Sequence, residues 1–385
     1  MRLAHLLYRY FPYGGMQRDF RRIVAALQRR GHHCRVYCIN WEGAPLEGVE
    51  LHRIRVRAAS HHRRNERFLQ RVREQLAAEP VDGVIGFNKM PGLDVYYAAD
   101  PCYLEKALAA RGALYRRSGR FRHFAAHERA VFGERSATQI LLLSEREREL
   151  FQRHYHTPAS RLHLLPPGVS PDRRRPEDAA ERRRATRERL GAGPGEYLLL
   201  FVGSGFITKG LDRAIRSVAR LRAEQPSVSP RLLVAGQDRK RSFRNLAKRL
   251  GVLDAVAFLG GRDDVPELLL AADLLVHPAL QENTGTVLLE ALVAGLPVVA
   301  TDVCGYAGHI AAGRAGILLP SPFRQDALDR AVMRMLDGVF RAECRRSGLL
   351  YAELTDLYSL HSAAAALIEE LIARKPGRGG GDGDG

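Results

Sequence analysis

Cysteine, tryptophan, lysine and long apolar runs are all scarce in this 385-residue chain. Its five cysteines, Cys34, Cys38, Cys102, Cys304 and Cys344, are too few and too scattered to staple a fold with disulfides. Cys34 and Cys38 fall in an expected strand, HCRVYCI, where side chains four apart share a face. No His/Cys pair follows at zinc-ligand spacing, so both read as core. No run approaches the roughly 18 consecutive apolar residues that a spanning helix needs. The first residues, MRLAHLLYRYFPYGG, reach glycine by position 14 without a small-residue cleavage site, and read as a strand, not a signal peptide. The chain is therefore expected to stay in the cytosol.

Arginine is plentiful instead, with 54 residues against 6 lysines and a net charge of +17. A GC-rich genome choosing arginine codons accounts for the ratio, but the excess charge still attracts nucleic acid, anionic lipid or phosphorylated substrates. Nucleic acid is not an expected partner, because no helix-turn-helix, zinc or RNP-like string appears and aromatics are not interleaved with the arginine clusters. With 45% apolar and 27% charged residues the composition is that of a globular protein. Its length suits two ordinary cores.

Short β-rich apolar runs alternate with helical patterns. Strands are expected at 3–8, 35–39, 83–87 and 139–143, then at 197–202, 231–235, 255–259, 274–277 and 298–301. Met16, Phe20, Ile23, Val24 and Leu27 recur at helical spacing, and Gly31 follows as a stop. Such alternation predicts an α/β fold with parallel sheets covered by helices on both faces. The pattern breaks over 165–185, where prolines and charges mark a linker. The expected organisation is 1–168 and 169–358 as two Rossmann-like domains, 359–375 as a C-terminal helix and 376–385 as a disordered, glycine-rich tail.

Three strings carry chemistry. ENTGTVLLE, residues 282–290, follows an apolar strand and opens a helix. A helix N-terminus offers unpaired N–H groups and the positive end of the macrodipole to phosphate. Thr284, Gly285 and Thr286 stand there, Glu282 before the helix can face a sugar, and Glu290 can meet ribose hydroxyls. The same string alone also reads as a helix with a surface glutamate and a capping threonine. FVGSGFITKGLDRAI places Lys209 after a glycine loop, where a cation can neutralise a leaving diphosphate, although a lone lysine there is often merely solvated. The glycine spacing matches neither a dinucleotide fingerprint nor a Walker A loop. In YRYFPYGGMQRDF, Gly14 and Gly15 precede another helix, and Asp19 is expected in its first turn, where favouring the dipole explains it equally well.

Together, and in this order, the three strings resemble the retaining glycosyltransferases of the GT-B, family 4 kind. The resemblance implies two facing Rossmann-like domains and leaves open whether the last helix crosses back to the first. FPYGGMQRDF, RGHHCRVY, VIGFNKMPGLDVYYAAD, LPPGVSPDR, VAGQDR and VCGYAGHIA narrow it to the lipopolysaccharide core glucosyltransferases. That likeness implies transfer of glucose from UDP-glucose, with retention, to an inner-core heptose at the cytoplasmic face of the inner membrane. A sister family 4 transferase using UDP-GlcNAc, UDP-Gal or UDP-GalNAc on a lipid-linked glycan remains an alternative, since no residue reads out the sugar. A glycan phosphorylase would need a pyridoxal lysine and a far longer chain.

The resemblance also assigns roles. Gly15 would meet the diphosphate, with Asp19 near the same cleft, and Lys209 and Arg173 would clamp it. Glu282 would bind hexose hydroxyls, Asn283, Thr284, Gly285 and Thr286 would hold sugar and phosphate, and Glu290 would take the ribose. The backbone near Arg262 would meet the uracil edge. Asp100, ending the YYAAD strand, would stand where many relatives carry a histidine beside the transferred sugar. Lys209, Glu282 and Asp100 are thus the candidate catalytic residues. The family often has arginine where Ser204 stands and a basic residue where Thr208 stands, which would leave Arg173 more of the phosphate charge. No Asp-x-Asp string marks a strand end, so no metal or cofactor is expected.

The segment 102–132 is expected to touch a membrane. On a helical wheel Leu114, Phe121, Ala125 and Phe132 fall within about 40°, with Phe124 and Val131 adjoining. Arg116, Arg117, Arg120, Arg122 and Arg129 surround that stripe, which suits an in-plane helix on anionic lipid. Gly112 and Gly119 weaken the helix and favour an ordinary core-facing segment.

Overall fold

The computed structural model describes residues 1–12, 14–110, 112–193 and 195–375. The chain divides into two compact units, one formed by Met1–Pro167 with the residues from Ser359 onward, the other by Gly168–Tyr358.

The first unit is built on a seven-stranded sheet: β1 (Arg2–Leu6), β2 (His33–Cys38), β3 (Val49–Arg53), β4 (Gly83–Gly86), β5 (Val95–Ala98), β6 (Gln139–Leu142) and β7 (Leu162–Leu164). Their order is β3-β2-β1-β4-β5-β6-β7, and every neighbouring pair is parallel. Helix α1 (Gly15–Arg29) follows β1 and buries Phe20, Ile23, Val24 and Leu27, the residues at helical spacing. Strands β3 and β7 escape the hydrophobic pattern because they lie at the sheet's edges, where burial is partial. Interior β5 is the apolar part of the YYAAD string and ends two residues before Asp100.

The segment 102–132 is not one helix. It is broken into Tyr103–Ala110, Ala113–Arg116 and α2 (Gly119–Phe132). Gly112 and Ser118 occupy the N-cap positions at the two breaks, and Ser118 Oγ accepts the Phe121 N–H at 3.1 Å. Leu114 therefore does not continue the stripe of Phe121 and Ala125. Val131 and Phe132 lie in the core, Phe132 stacked on Phe151 at 3.5 Å.

The second unit carries β8 (Glu196–Val202), β9 (Ser229–Ala235), β10 (Val256–Gly260), β11 (Leu274–His277), β12 (Val298–Thr301) and β13 (Gly316–Leu319). They lie in the order β10-β9-β8-β11-β12-β13, again all parallel. In each unit the first strand sits inside the sheet and the order reverses beside it, between β1 and β4 and between β8 and β11. Open parallel sheets bind ligands at that reversal, beyond the carboxyl ends of the strands.

Most of the expected linker is ordered within the second unit. Residues 171–173 form a 3-10 turn and α3 (Ala179–Arg189) is a helix. Arg183 holds α3 in place by donating to the carbonyls of Leu270, Ala271 and Ala272 at 2.9, 2.8 and 2.6 Å and to Asp273 at 2.5 Å. The helix docks through guanidinium hydrogen bonds, so hydrophobic periodicity does not reveal it. Helices α4 (Leu211–Glu224) and α5 (Thr286–Ala294) follow β8 and β11.

The last helix, α6 (Leu360–Ala373), belongs to the first unit. Leu360, Ala364, Ala365, Ile368 and Ile372 enter the core behind α1, and the larger of these side chains each contribute about 1.5–3 kcal/mol. A Cβ at Gly83 would stand 2.4 Å from Ile372 Cδ1, so glycine there admits the helix. Polar contacts fix its position: His361 with Asp19 at 2.9 Å, Arg30 with Glu369 at 2.6 Å and Lys375 with Asp94 at 2.7 Å. The tail 376–385 lies outside the described residues.

Candidate active site

Two loops leave neighbouring strands at the reversal in the second unit. The loop after β8 runs from Gly203 to Gly210, and the loop after β11 runs from Pro278 to Gly285. They are stitched together, with the Leu280 N–H donating to Thr208 O at 2.8 Å and Arg213 donating to Pro278 O at 3.1 Å. Gly203 has φ +128°, and a Cβ there would stand 2.6 Å from Lys209 Cε. Glycine thus clears the path of the lysine stem.

Lys209 Nζ donates to Glu282 Oε2, and the side chains are only 20% and 18% exposed. His277, the last residue of β11, is fully buried, and its Nε2 lies 3.5 Å from the same Glu282 oxygen. Burial opposes ionisation of Glu282, but His277 and Lys209 outweigh it and hold the carboxyl down at about 2, from an ordinary 4.5. Burial, with the Lys209 charge, pushes the His277 imidazole below its ordinary value against the pull of Glu282. A neutral imidazole, a carboxylate and an ammonium are therefore lined up at the ends of β8 and β11.

Gly285 is the N-cap of α5 with φ +75°, a left-handed backbone that favours glycine. Asn283 is buried, Thr284 Oγ1 lies 3.5 Å from Thr286 Oγ1, and the Thr284 carbonyl accepts from Tyr306 N at 2.8 Å. Glu290 is buried on α5. The turn bearing Arg173 packs on α5. Arg173 Nε and Nη1 are buried without a hydrogen-bond partner among the described residues, Nε lying 3.6 Å from Asp172. Such a guanidinium suits an anion. Arg262 forms a bidentate pair with Asp264 at 2.7 and 2.5 Å, so its side chain is already engaged. Ser204 Oγ accepts from Gln237 N at 3.1 Å and Thr208 Oγ1 donates to Gly205 O at 2.8 Å. Both positions serve loop closure.

In the first unit Gly15 opens α1 and is exposed, with open space where a Cβ would point. Asp19 is the fifth residue of α1, not in its first turn. Its carboxylate accepts from Tyr97 Oη at 2.8 Å and meets His361 Nε2 at 2.9 Å. Asp100 is exposed two residues beyond β5. Among the described residues no group of three or more His, Cys, Asp or Glu could hold a metal ion.

Comparison with known proteins decides the family. The model described as Glycosyl transferases group 1 matches residues 182–348, and the model for Glycosyltransferase Family 4 matches residues 13–173. The chain is 45% identical over 369 residues to lipopolysaccharide glucosyltransferase WaaG of Escherichia coli K12, covering 96% of this chain and 98% of that protein. The chain belongs to the family 4 glycosyltransferases. The crystal structure of WaaG, a glycosyltransferase involved in lipopolysaccharide biosynthesis, superposes with a TM-score of 0.89 at 44% identity, over 95% of this chain and 99% of WaaG. Anabaena HepE, solved with UDP-glucose, shares the fold at 17% identity and a TM-score of 0.74, over 96% of this chain and all of that one. The fold is GT-B and the enzyme is a hexosyltransferase.

In this glycosyltransferase three further polar residues, His277, Tyr97 and His361, stand beside the candidates. His277 sits in the string LLVHPAL, where a histidine closing an otherwise apolar strand was the available signal. Tyr97 and His361 flank Asp19 across long sequence separations, and nothing local announces them.

Proposed function

We propose that the enzyme transfers glucose from UDP-glucose, with retention, to an inner-core heptose of lipopolysaccharide. The end-to-end likeness to the glucosyltransferase WaaG supports this, since it spans both units and not the nucleotide-binding half alone. The lipopolysaccharide acceptor and the glucose donor follow from that relative's name; the UDP-glucose complex of HepE adds a fold-level precedent.

In this reaction charge accumulates on the departing diphosphate while the anomeric carbon becomes oxocarbenium-like. Lys209, Arg173 and the N–H groups opening α5 stabilise the diphosphate electrostatically. Glu282 holds the hexose hydroxyls, Asn283 to Thr286 hold sugar and phosphate, Glu290 binds ribose, and the backbone near Arg262 meets uracil. The acceptor oxygen bonds to the anomeric carbon on the face that the phosphate leaves, and the departing phosphate oxygen takes the acceptor proton. Gly15, Asp19 and Asp100 are the candidate residues of the first unit. No divalent ion is needed for the charge, and the acceptor is met at the inner face of the inner membrane.

Product analysis with UDP-glucose, UDP-GlcNAc, UDP-Gal and UDP-GalNAc, a heptose-containing acceptor and excess EDTA tests this. An α-linked glucosyl product at undiminished rate is expected. Preference for another UDP-sugar overturns the donor, and loss of activity in EDTA restored by Mg2+ overturns the metal independence.

A further inference from the structure

We propose that His277 is a positioning residue that keeps Glu282 in place when Lys209 turns to the donor diphosphate. This rests on the donor roles given to Lys209 and Glu282. A fully buried imidazole closes β11 although its neighbours Leu274, Leu275 and Val276 are all apolar core. Neither ring nitrogen has a hydrogen-bond partner among the described residues. Burying polar atoms that way costs stability that a leucine would not cost. Its Nε2 lies 3.5 Å from Glu282 Oε2. Lys209 Nζ contacts that same oxygen.

One carboxylate oxygen thus has an ammonium in contact and an imidazole just beyond hydrogen-bond reach. A diphosphate competes for the ammonium, because a multiply charged anion attracts Lys209 more than a single carboxylate does. Once Lys209 is drawn away, Glu282 loses its cation in a site where an uncompensated charge is expensive. His277, whose ring lies roughly parallel to Phe201 at 6.3 Å, is held by packing and needs to close only a few tenths of an ångström to donate its Nε2–H. The carboxylate then stays ionised and aimed at the hexose, with the imidazole neutral throughout. No proton moves in this step.

The test is steady-state kinetics and UDP calorimetry on His277→Leu and His277→Gln. His277→Leu should lower kcat by about tenfold to a hundredfold, the scale for losing a hydrogen bond to a charged group, with UDP affinity unchanged. His277→Gln, which restores an N–H donor, should recover most of that loss. In a Glu282→Gln background, His277→Leu should add little, since residues acting as a unit are non-additive. Wild-type kcat in His277→Leu, or losses that multiply in the double variant and follow thermal stability, overturn the proposal. Full turnover in Glu282→Ala overturns the donor role of Glu282 itself, and His277 falls with it. An inactive Glu282→Ala beside a fully active His277→Leu removes only the role of His277. If His277→Leu does not fold, the Gln variant and its double variant with Glu282→Gln decide.

Discussion

Lys209 is a preorganised charge whose stem passes through the space left by Gly203, and its partner Glu282 keeps it from wandering. Replacing Lys209 by alanine should lower turnover by roughly 2.7–4 kcal/mol of transition-state stabilisation, the scale for deleting one group aimed at developing charge. Single-turnover rates with UDP-glucose measure it, and a near-wild-type rate would assign the phosphate to Arg173. Glu282 gives a pH signature. Its carboxyl is depressed to about 2 when folded, below an ordinary 4.5. Its contribution to stability is therefore complete above about 4.5 and is lost as the pH falls through about 2. The melting temperatures of wild type and Glu282→Gln should differ by a constant amount above pH 5 and converge below it. Curves that stay parallel down to pH 3 would show that the carboxylate is not held by His277 and Lys209.

At the scale of elements, the parts read correctly from the chain are those whose burial is regular. Helix α1 shows its buried face at helical spacing, and the central strands β1, β8 and β11 read as short apolar runs because both sheet faces are covered. The loops bearing Lys209 and Glu282 were legible too, as each glycine-containing string stands between a strand and a helix. Edge strands β3, β7 and β13 were not, their partly exposed residues carrying no clear pattern, whereas edge strand β10 still read as an apolar run. Helix α3 was lost to charge, its arginines resembling linker composition while Arg183 and Arg187 reach across to Asp273. That helix supports a prediction. Arg183→Ala removes bonds to the three carbonyls closing the helix Val265–Ala271 and leaves Asp273 with less compensation. It should lower stability by about 2 kcal/mol while leaving the KM for UDP-glucose unchanged. Denaturant unfolding checks the first part; an unchanged midpoint would mean that water replaces the guanidinium at no cost.

At the scale of the whole molecule, the excess of +17 has to be matched with a surface it serves. No helix of the described residues is long and apolar enough to cross a membrane. Attraction to anionic lipid is what so basic a chain can use to meet a lipid-borne acceptor. The break of 102–132 into three helices changes which residues can take part. Val131 and Phe132 are core, which leaves the stretch from Leu114 to Phe124. Leu114 is 82% exposed, and Arg116, Arg117, Arg120 and Arg122 are all exposed beside it. Phe121 and Phe124 are half-buried against Tyr103, with ring centroids 6.0 and 5.5 Å away. An exposed leucine among basic side chains is suited to dip into a headgroup layer while arginines hold the phosphates. Each such arginine contributes about 1 kcal/mol near an anionic surface, so replacing Arg116, Arg117, Arg120 and Arg122 by glutamine should weaken binding by well over about tenfold. Co-sedimentation with vesicles should rise with the anionic lipid fraction and fall as salt shortens the Debye length below about 10 Å. Turnover on a detergent-free, soluble heptoside should be spared in the quadruple variant. If that variant sediments with anionic vesicles as wild type does, the stretch is an ordinary surface of the first unit and the membrane contact is wrong.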